Sequence, residues 1–237
     1  LRQSGGRIIE EWPPNLRGKN SFRIFAEMRA NDAIVGAVLY SIESFLRKME
    51  WEVEPADDSD ASKKEADFLK QCMHDMEVPW EDFISDVLSM LVYGYSLHEI
   101  VYKLRVGPTE SNPRYYSKFD DNRFGWRLLA LRPQSTIDRW DIEPATGDIL
   151  GAIQRPLVSG FNLQTEYYIP LDRCVLFRTR PYKNNPEGRA LDPATPIPTP
   201  DGWKILDDLH PGDKVFDEKG RIRYVTARKD WDNRPCH

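Results

Sequence analysis

At 237 residues, with 40% hydrophobic and 11% aromatic side chains, the chain can bury one good core or two modest ones, which excludes a disordered tail. A net charge of -5 argues against a free-standing binder that coats phosphates, although a basic patch or an assembled ring could still face DNA, and no apolar run approaches the roughly 18 residues of a membrane span. Three cysteines, Cys72, Cys174 and Cys236, are too few and too scattered for a disulfide framework or a zinc knuckle, so Cys72 and Cys174 read as buried small hydrophobes. The sequence opens at Leu1 without a methionine and stops at Cys236-His237 with no turn or cap, as expected of a truncated chain.

Residues 1–21 read as an N-terminal extension that includes the polar loop EEWPPNLRGKN. After it, Phe25, Met28, Val35, Val38, Leu39, Ile42, Phe45, Leu46 and Met49 recur at spacings near three and four, which predicts one long helix. MEWEVEP alternates and ends in proline, the pattern of a short strand. Ser62-Lys-Lys-Glu65 reads as a capping box for a helix that turns Phe68, Leu69, Cys72 and Met76 inward. Pro79 opens the next helix, whose apolar face is Trp80, Phe83, Ile84, Val87, Leu88 and Leu91, and Gly94 suits the left-handed residue that ends it.

From Ser96 the period shifts toward two. SLHEIVYKLRV, FGWRLLALRP, TIDRWDIEP, DILGAIQRP and EYYIPLDRCVLFRTR read as strands, and ATGD between the third and fourth reads as a hairpin turn. Helices first and antiparallel strands after make residues 22–189 an α+β domain, closing on NPEGR, which looks like a surface loop.

Nothing local in that domain calls for catalysis. His98-Glu99 lacks the second histidine of a zinc-binding helix and lies in strand-like sequence, so a partly buried structural histidine is expected. Asp120-Asp121 reads as a solvated turn rather than a carboxylate pair. Phosphate-binding glycine motifs and a GxSxG elbow are missing, and no cofactor or metal is expected. Trp51, Tyr93, Tyr95, Tyr102, Trp126 and Trp140 stand at strand spacing and should be mostly core rather than base-stacking.

The words EMRANDAIVGAVLYSIESFLRKMEWEVEP, FISDVLSMLVYGYSLHEIVYK, LRPQSTIDRWDIEPATGDILGAIQ, IPLDRCVLFR and NPEGR, in that order over roughly residues 10 to 189, resemble the N-terminal part of a tailed-phage portal protein of the Mu-like group. That resemblance implies a portal-type α+β domain and a homo-oligomeric ring of about twelve subunits at one capsid vertex. It also implies capsid and packaging-motor proteins as partners, double-stranded DNA through the assembled channel, no membrane, and a location in the virion after assembly in the host cytoplasm. It implies an assembly part, not an enzyme.

Residues 190–237 change character. They carry six of the chain's 18 prolines, and PDG, HPGD and DEKG separate short strands, the composition of a compact β-rich unit. Thr195, Ile197, Thr199, Gly202, Trp203 and Leu209, then Gly212, Asp213, Val215, Asp217 and Gly220, with Val225, resemble the opening of an intein, an all-β Hint fold that would here be incomplete. The likeness implies a splice junction at Arg189 and Ala190, where an intein's first residue attacks the preceding carbonyl as a thiol or hydroxyl. Ala190 has no nucleophile, and the later block with its histidine is missing from the sequence. Ala190 is compatible with a natural class in which a downstream cysteine attacks the junction directly, with an engineered or decayed cysteine position, or with a dead remnant; the first is favoured. Cys236 reads as a structural position, not that nucleophile, and His237 is too early to be the block histidine.

The expectation is therefore a portal N-terminal region carrying the start of an intein, inactive alone because truncated, with single-turnover self-splicing only if complete. The alternative is the N-half of a split or atypical intein, with its complementary half as a partner, whose host happens to be a portal.

Overall fold

The computed structural model describes residues 3–9, 18–109, 111–155, 166–179, 184–188, 196–205, 208–216 and 221–226. The chain opens with a small hairpin, β1 (Gln3–Ser4) and β2 (Arg7–Ile8). It is not a loose extension. Ile8 is buried in the main core, and Trp140 N donates to Gly6 O at 2.9 Å.

The long helix expected across residues 25–49 is two helices, α1 (Lys19–Asn31) and α2 (Ala33–Arg47). Asp32 divides them because its carboxylate outcompetes the helical ladder: Oδ1 accepts from Ile34 N at 2.8 Å and Val35 N at 3.0 Å, so Asp32 caps α2 in an extended conformation. MEWEVEP forms no strand. The segment has no ladder, since alternation supplies a two-faced chain and not a partner. Helix α3 (Asp60–His74) begins earlier than the expected capping box. Ser59 is its cap, accepting from Ser62 N at 3.2 Å, and Ser62 lies inside the helix. Cys72 and Met73 are buried, whereas Leu69 is exposed.

Pro79 immediately precedes α4 (Trp80–Val87), and the expected apolar face is buried through Phe83, Ile84, Val87 and Leu88. The helix then breaks before the short α5 (Met90–Tyr93), which ends as expected at Gly94 with φ 86°.

Strand β3 (Tyr95–Val106) is the centre of the first sheet, between β4 (Asp120–Arg132) and β8 (Cys174–Arg178), both antiparallel to it. The second sheet has the order β5 (Ile137–Ile142), β6 (Ile149–Gln154), β7 (Tyr167–Pro170). The ATGD turn is present, with Gly147 at φ 77° and Gly147 N donating to Glu143 O at 2.8 Å. EYYIPLDRCVLFRTR divides into β7 and β8, which join different sheets across a turn of 3-10 helix at Leu171–Arg173.

The period of two on β3 explains how both sides are filled. Tyr95 and Leu97 meet Ile137, Trp140 and Ala152 of the second sheet. On the other face Ile100 meets Phe83, Ile84 and Val87 of α4.

Beyond residue 195 lie two further antiparallel pairs, β9 (Pro196–Thr199) with β10 (Gly202–Ile205) and β11 (Lys214–Phe216) with β12 (Ile222–Tyr224). Among the described residues these strands join neither sheet, and they do not amount to a Hint fold. They are not detached, because Leu209, Val215 and Val225 bury Val38 of α2, with Ile42 alongside.

Candidate functional site

Of the residues named for the junction and the β-rich unit, Arg189, Ala190, Thr195, Asp217 and Gly220 lie outside the described residues, as do Cys236 and His237. Of the others, Ile197, Trp203 and Val215 lie in strands, Leu209, Val215 and Val225 pack on α2, and Thr199, Gly202, Gly212 and Asp213 build turns. Thr199 Oγ1 donates to Gly202 O at 2.6 Å, closing the β9–β10 hairpin at Gly202, whose φ is 114°. Trp203, opposite Pro198, is exposed. Gly212, at φ 98°, donates to Val225 O at 2.8 Å, and Val225 N donates to Asp213 O at 2.8 Å. The Asp213 carboxylate accepts from His210 N at 2.8 Å and from Lys204 Nζ at 3.2 Å, and these bonds, His210 first, hold its carboxyl below the ordinary range. Gly212 and Asp213 thus tie the β11–β12 pair to β10. Thr199 and Gly202 act at a separate turn.

One turn that sequence reasoning placed at the surface is enclosed. Over its described residues NPEGR is not a surface loop: Asn185, Pro186 and Gly188 are buried. Asn185 Nδ2 donates to Gly188 O at 3.2 Å and Glu187 N donates to Asn185 Oδ1 at 2.9 Å, so the turn is closed by its own side chain. Gly188, with φ 60°, sits where an added Cβ would lie 2.2 Å from Gly94 O and 2.6 Å from Thr179 O. Thr179 N and Oγ1 both donate to that same Gly94 O at 2.9 Å. The end of α5, the end of β8 and this turn therefore converge on one carbonyl.

Trp140 Nε1 donates to Glu187 Oε1 at 3.1 Å. Glu187 as a residue is only partly buried, but its carboxyl lies in interior surroundings; burial pushes its pKa up to about 7 against the smaller opposing effect of the indole bond. The signal that could have found this turn is the juxtaposition of Asn-Pro and a glycine around one acid, a closed-turn composition ending a strand domain.

The profile of the family described as the portal protein of Mu bacteriophage matches residues 22–195. The chain belongs to this portal family. The match takes in most of α1, α2 to α5, both sheets and the NPEG turn; it runs past Arg189 and stops just before β9. Residues 196–237 fall outside it, and the comparison gives no support to an intein. No curated protein matches.

In this portal domain the charged residues of β3 invert the expected pattern. Lys103 and Arg105 face inward beneath α3, while Tyr102 and Leu104 face out. The Lys103 and Asp75 side chains, 2% and 3% exposed, pair at 3.1 Å. Lys103 Nζ also donates to Tyr116 O at 2.6 Å, and Asp75 accepts from Ser117 Oγ at 2.7 Å and Lys118 N at 2.8 Å. The pair thus fastens the β3–β4 connection to the end of α3. Arg105 lies over the rings of Phe119 and Phe68 and binds Asp121 at 2.9 Å, so Asp121, exposed as expected, is an ion-pair partner on β4 rather than a turn residue.

His98 is fully buried, with its ring against Ser96 Oγ, Leu129 O and Phe83; burial lowers its pKa to about 4, consistent with a structural histidine. Among the described residues no group of His, Cys, Asp and Glu could hold a metal, and no helix is long and apolar enough to cross a membrane. Tyr95 and Trp140 are core as expected, whereas Trp51 and Tyr102 are exposed. Cys72 is buried; Cys174 is half-buried, with its thiol pushed up to about 11 chiefly by burial.

Proposed function

We propose that this chain is the N-terminal region of a phage portal subunit that assembles into a homo-oligomeric ring at a capsid vertex, where it meets capsid and packaging-motor proteins and surrounds passing double-stranded DNA. The observation that carries this reading is the family match, which spans both sheets, α2 to α5 and most of α1. A portal acts by assembly, and its working parts are surfaces and fastened joints such as the Lys103–Asp75 pair. Negative-stain electron microscopy of the purified protein tests it. Annular particles with a central opening are expected; a population of lone monomers at all concentrations would count against the ring.

A second reading concerns residues 190–237. We infer that they begin an intein-type module inserted after Arg189, with Thr195, Thr199, Gly202, Trp203, Gly212, Asp213 and Asp217 as framework positions and no nucleophile at Ala190. It is supported by the way β9 to β12, among the described residues, pair with one another while touching the portal domain through apolar side chains on α2. The alternative, a split or atypical intein in a portal host, differs in needing a complementary half. Intact-mass spectrometry of the complete gene product separates these: excision would join Arg189 to a later segment, and a product that keeps Ala190 bonded to Arg189 indefinitely would refute active splicing.

A further inference from the structure

Residues 196–226 meet the portal domain on a surface that every further copy of the chain also carries. Leu209, Val215 and Val225 are buried against Val38 of α2, itself buried, with Ile42 packed beside them. The strands behind these side chains, β9 to β12, belong among the described residues to neither portal sheet. No ladder of the first or second sheet therefore has to break when the unit leaves its seat, and such an opening is local rather than global.

The seat is longer than what covers it. Val38, Ile42, Phe45 and Met49 follow one another at intervals of four, three and four, one stripe along α2 and just past its end. The unit covers Val38 and Ile42, but Phe45 is 59% exposed and Met49 is exposed after it. Residues 189–195 join the unit to the NPEG turn, and a segment of that length spans at most about 25 Å when fully extended. That bound decides which α2 the unit can reach: its own, or that of a copy lying directly against it.

We propose that residues 196–226 are an exchangeable arm, which docks Leu209, Val215 and Val225 of one copy on Val38 and Ile42 of an adjoining copy. The occupant of the α2 stripe is then a second copy's arm, and the fit between them is the one the chain makes with itself. Exchange replaces each contact by an identical one, so it costs little contact energy. The short tether keeps an arm's own α2 at high effective concentration, which confines exchange to copies already held side by side. The proposal rests on the ring reading above, which supplies that adjoining copy. Arm and α2 are different surfaces, so each copy gives one arm and receives one, a head-to-tail contact of the kind that cyclic closure requires.

Two full-length variants, each with one damaged half of the contact, test it. Val38→Asp keeps the arm and breaks its seat; Val215→Asp keeps the seat and breaks the arm. Trypsin should cut isotope-labelled V38D within 196–226 about tenfold faster than wild type, and an excess of unlabelled V215D should slow that cleavage by about the same factor. The label lets mass spectrometry follow one chain alone. The double variant V38D/V215D offers neither half and should protect nothing, and Ile42→Asp takes the place of V38D if V38D loses its circular dichroism. Cleavage of V38D no faster than wild type, no protection by V215D, or equal protection by the double variant would each overturn the exchange. Rings of wild-type chain without protection would remove the exchange and leave the ring reading intact. Protection by V215D while wild type forms no rings would keep the exchange and remove the ring reading.

Discussion

Trp140 and Glu187 meet through one hydrogen bond, from the indole N–H to a carboxyl held largely out of water. Glu187 binds its proton more tightly folded, at about 7, than at its ordinary 4.5, so its contribution is full below pH 4.5 and is lost as pH rises through 7. His98 works in the opposite sense: with its pKa lowered from 6.5 to about 4, its contribution is present above 6.5 and lost as pH falls toward 4. The two slopes oppose each other between pH 4.5 and 6.5 in the native protein. Glu187→Gln should uncover the histidine's slope, and its stability advantage over wild type should grow from near zero below pH 4.5 to at most roughly 3 kcal/mol above pH 7. Urea unfolding across that range checks this, and a pH-independent difference would contradict it.

Gly188 is held where a side chain meets two carbonyl oxygens and an unfavourable backbone angle at once. Gly188→Ala should cost about 3 kcal/mol or more, combining left-handed strain with overpacking. Gly147, also at positive φ but with nothing within 4 Å of an added Cβ, should cost less when replaced by Ala. Equal losses in chemical denaturation would show that the crowding at Gly94 O is not felt.

Asp75 neutralises Lys103 in the interior. Asp75→Ala strands the ammonium and should destabilise by roughly 3–5 kcal/mol. Lys103→Met should cost less, because the Asp75 carboxylate keeps its bonds from Ser117 and Lys118. Thermal unfolding of the pair of variants gives the order directly.

Val215 packs on Val38 with Leu209 and Val225. Val215→Asp places an unpaired charge in that contact, and the expected result is undocking of residues 196–226 from α2. Limited proteolysis should then cut within this segment at least tenfold faster, while the near-ultraviolet circular dichroism of the Trp140 core stays unchanged.

Much of the fold was legible because its signals were local. The buried face of α4 follows from spacing alone, Gly94 from its place after an apolar run, and the β5–β6 hairpin from ATGD. The failures share a cause. Asp32 splits a helix whose apolar period runs straight through it, because one side chain captures two backbone donors. The inward turn of Lys103 and Arg105 depends on Asp75, Gln71 and Phe119, distant in sequence. NPEGR reads as surface because its residues are polar, yet Asn185, Glu187 and Gly188 bond one another and Trp140. In the C-terminal unit the turn positions Gly202, Gly212 and Asp213 were readable, since turn chemistry is fixed by a few residues. A splice site needs groups brought together from afar, and that spacing cannot supply.

Hydrogen exchange resolved by peptide across a urea series tests the proposed division after Arg189 most directly. Two steps are expected: amides of 196–226 lose protection at low urea, and those of β3, β4 and α4 persist to a separate, higher transition. A single transition in which both regions lose protection together, with equal strength beforehand, would mean that these residues form one cooperative unit and that no separate module begins there.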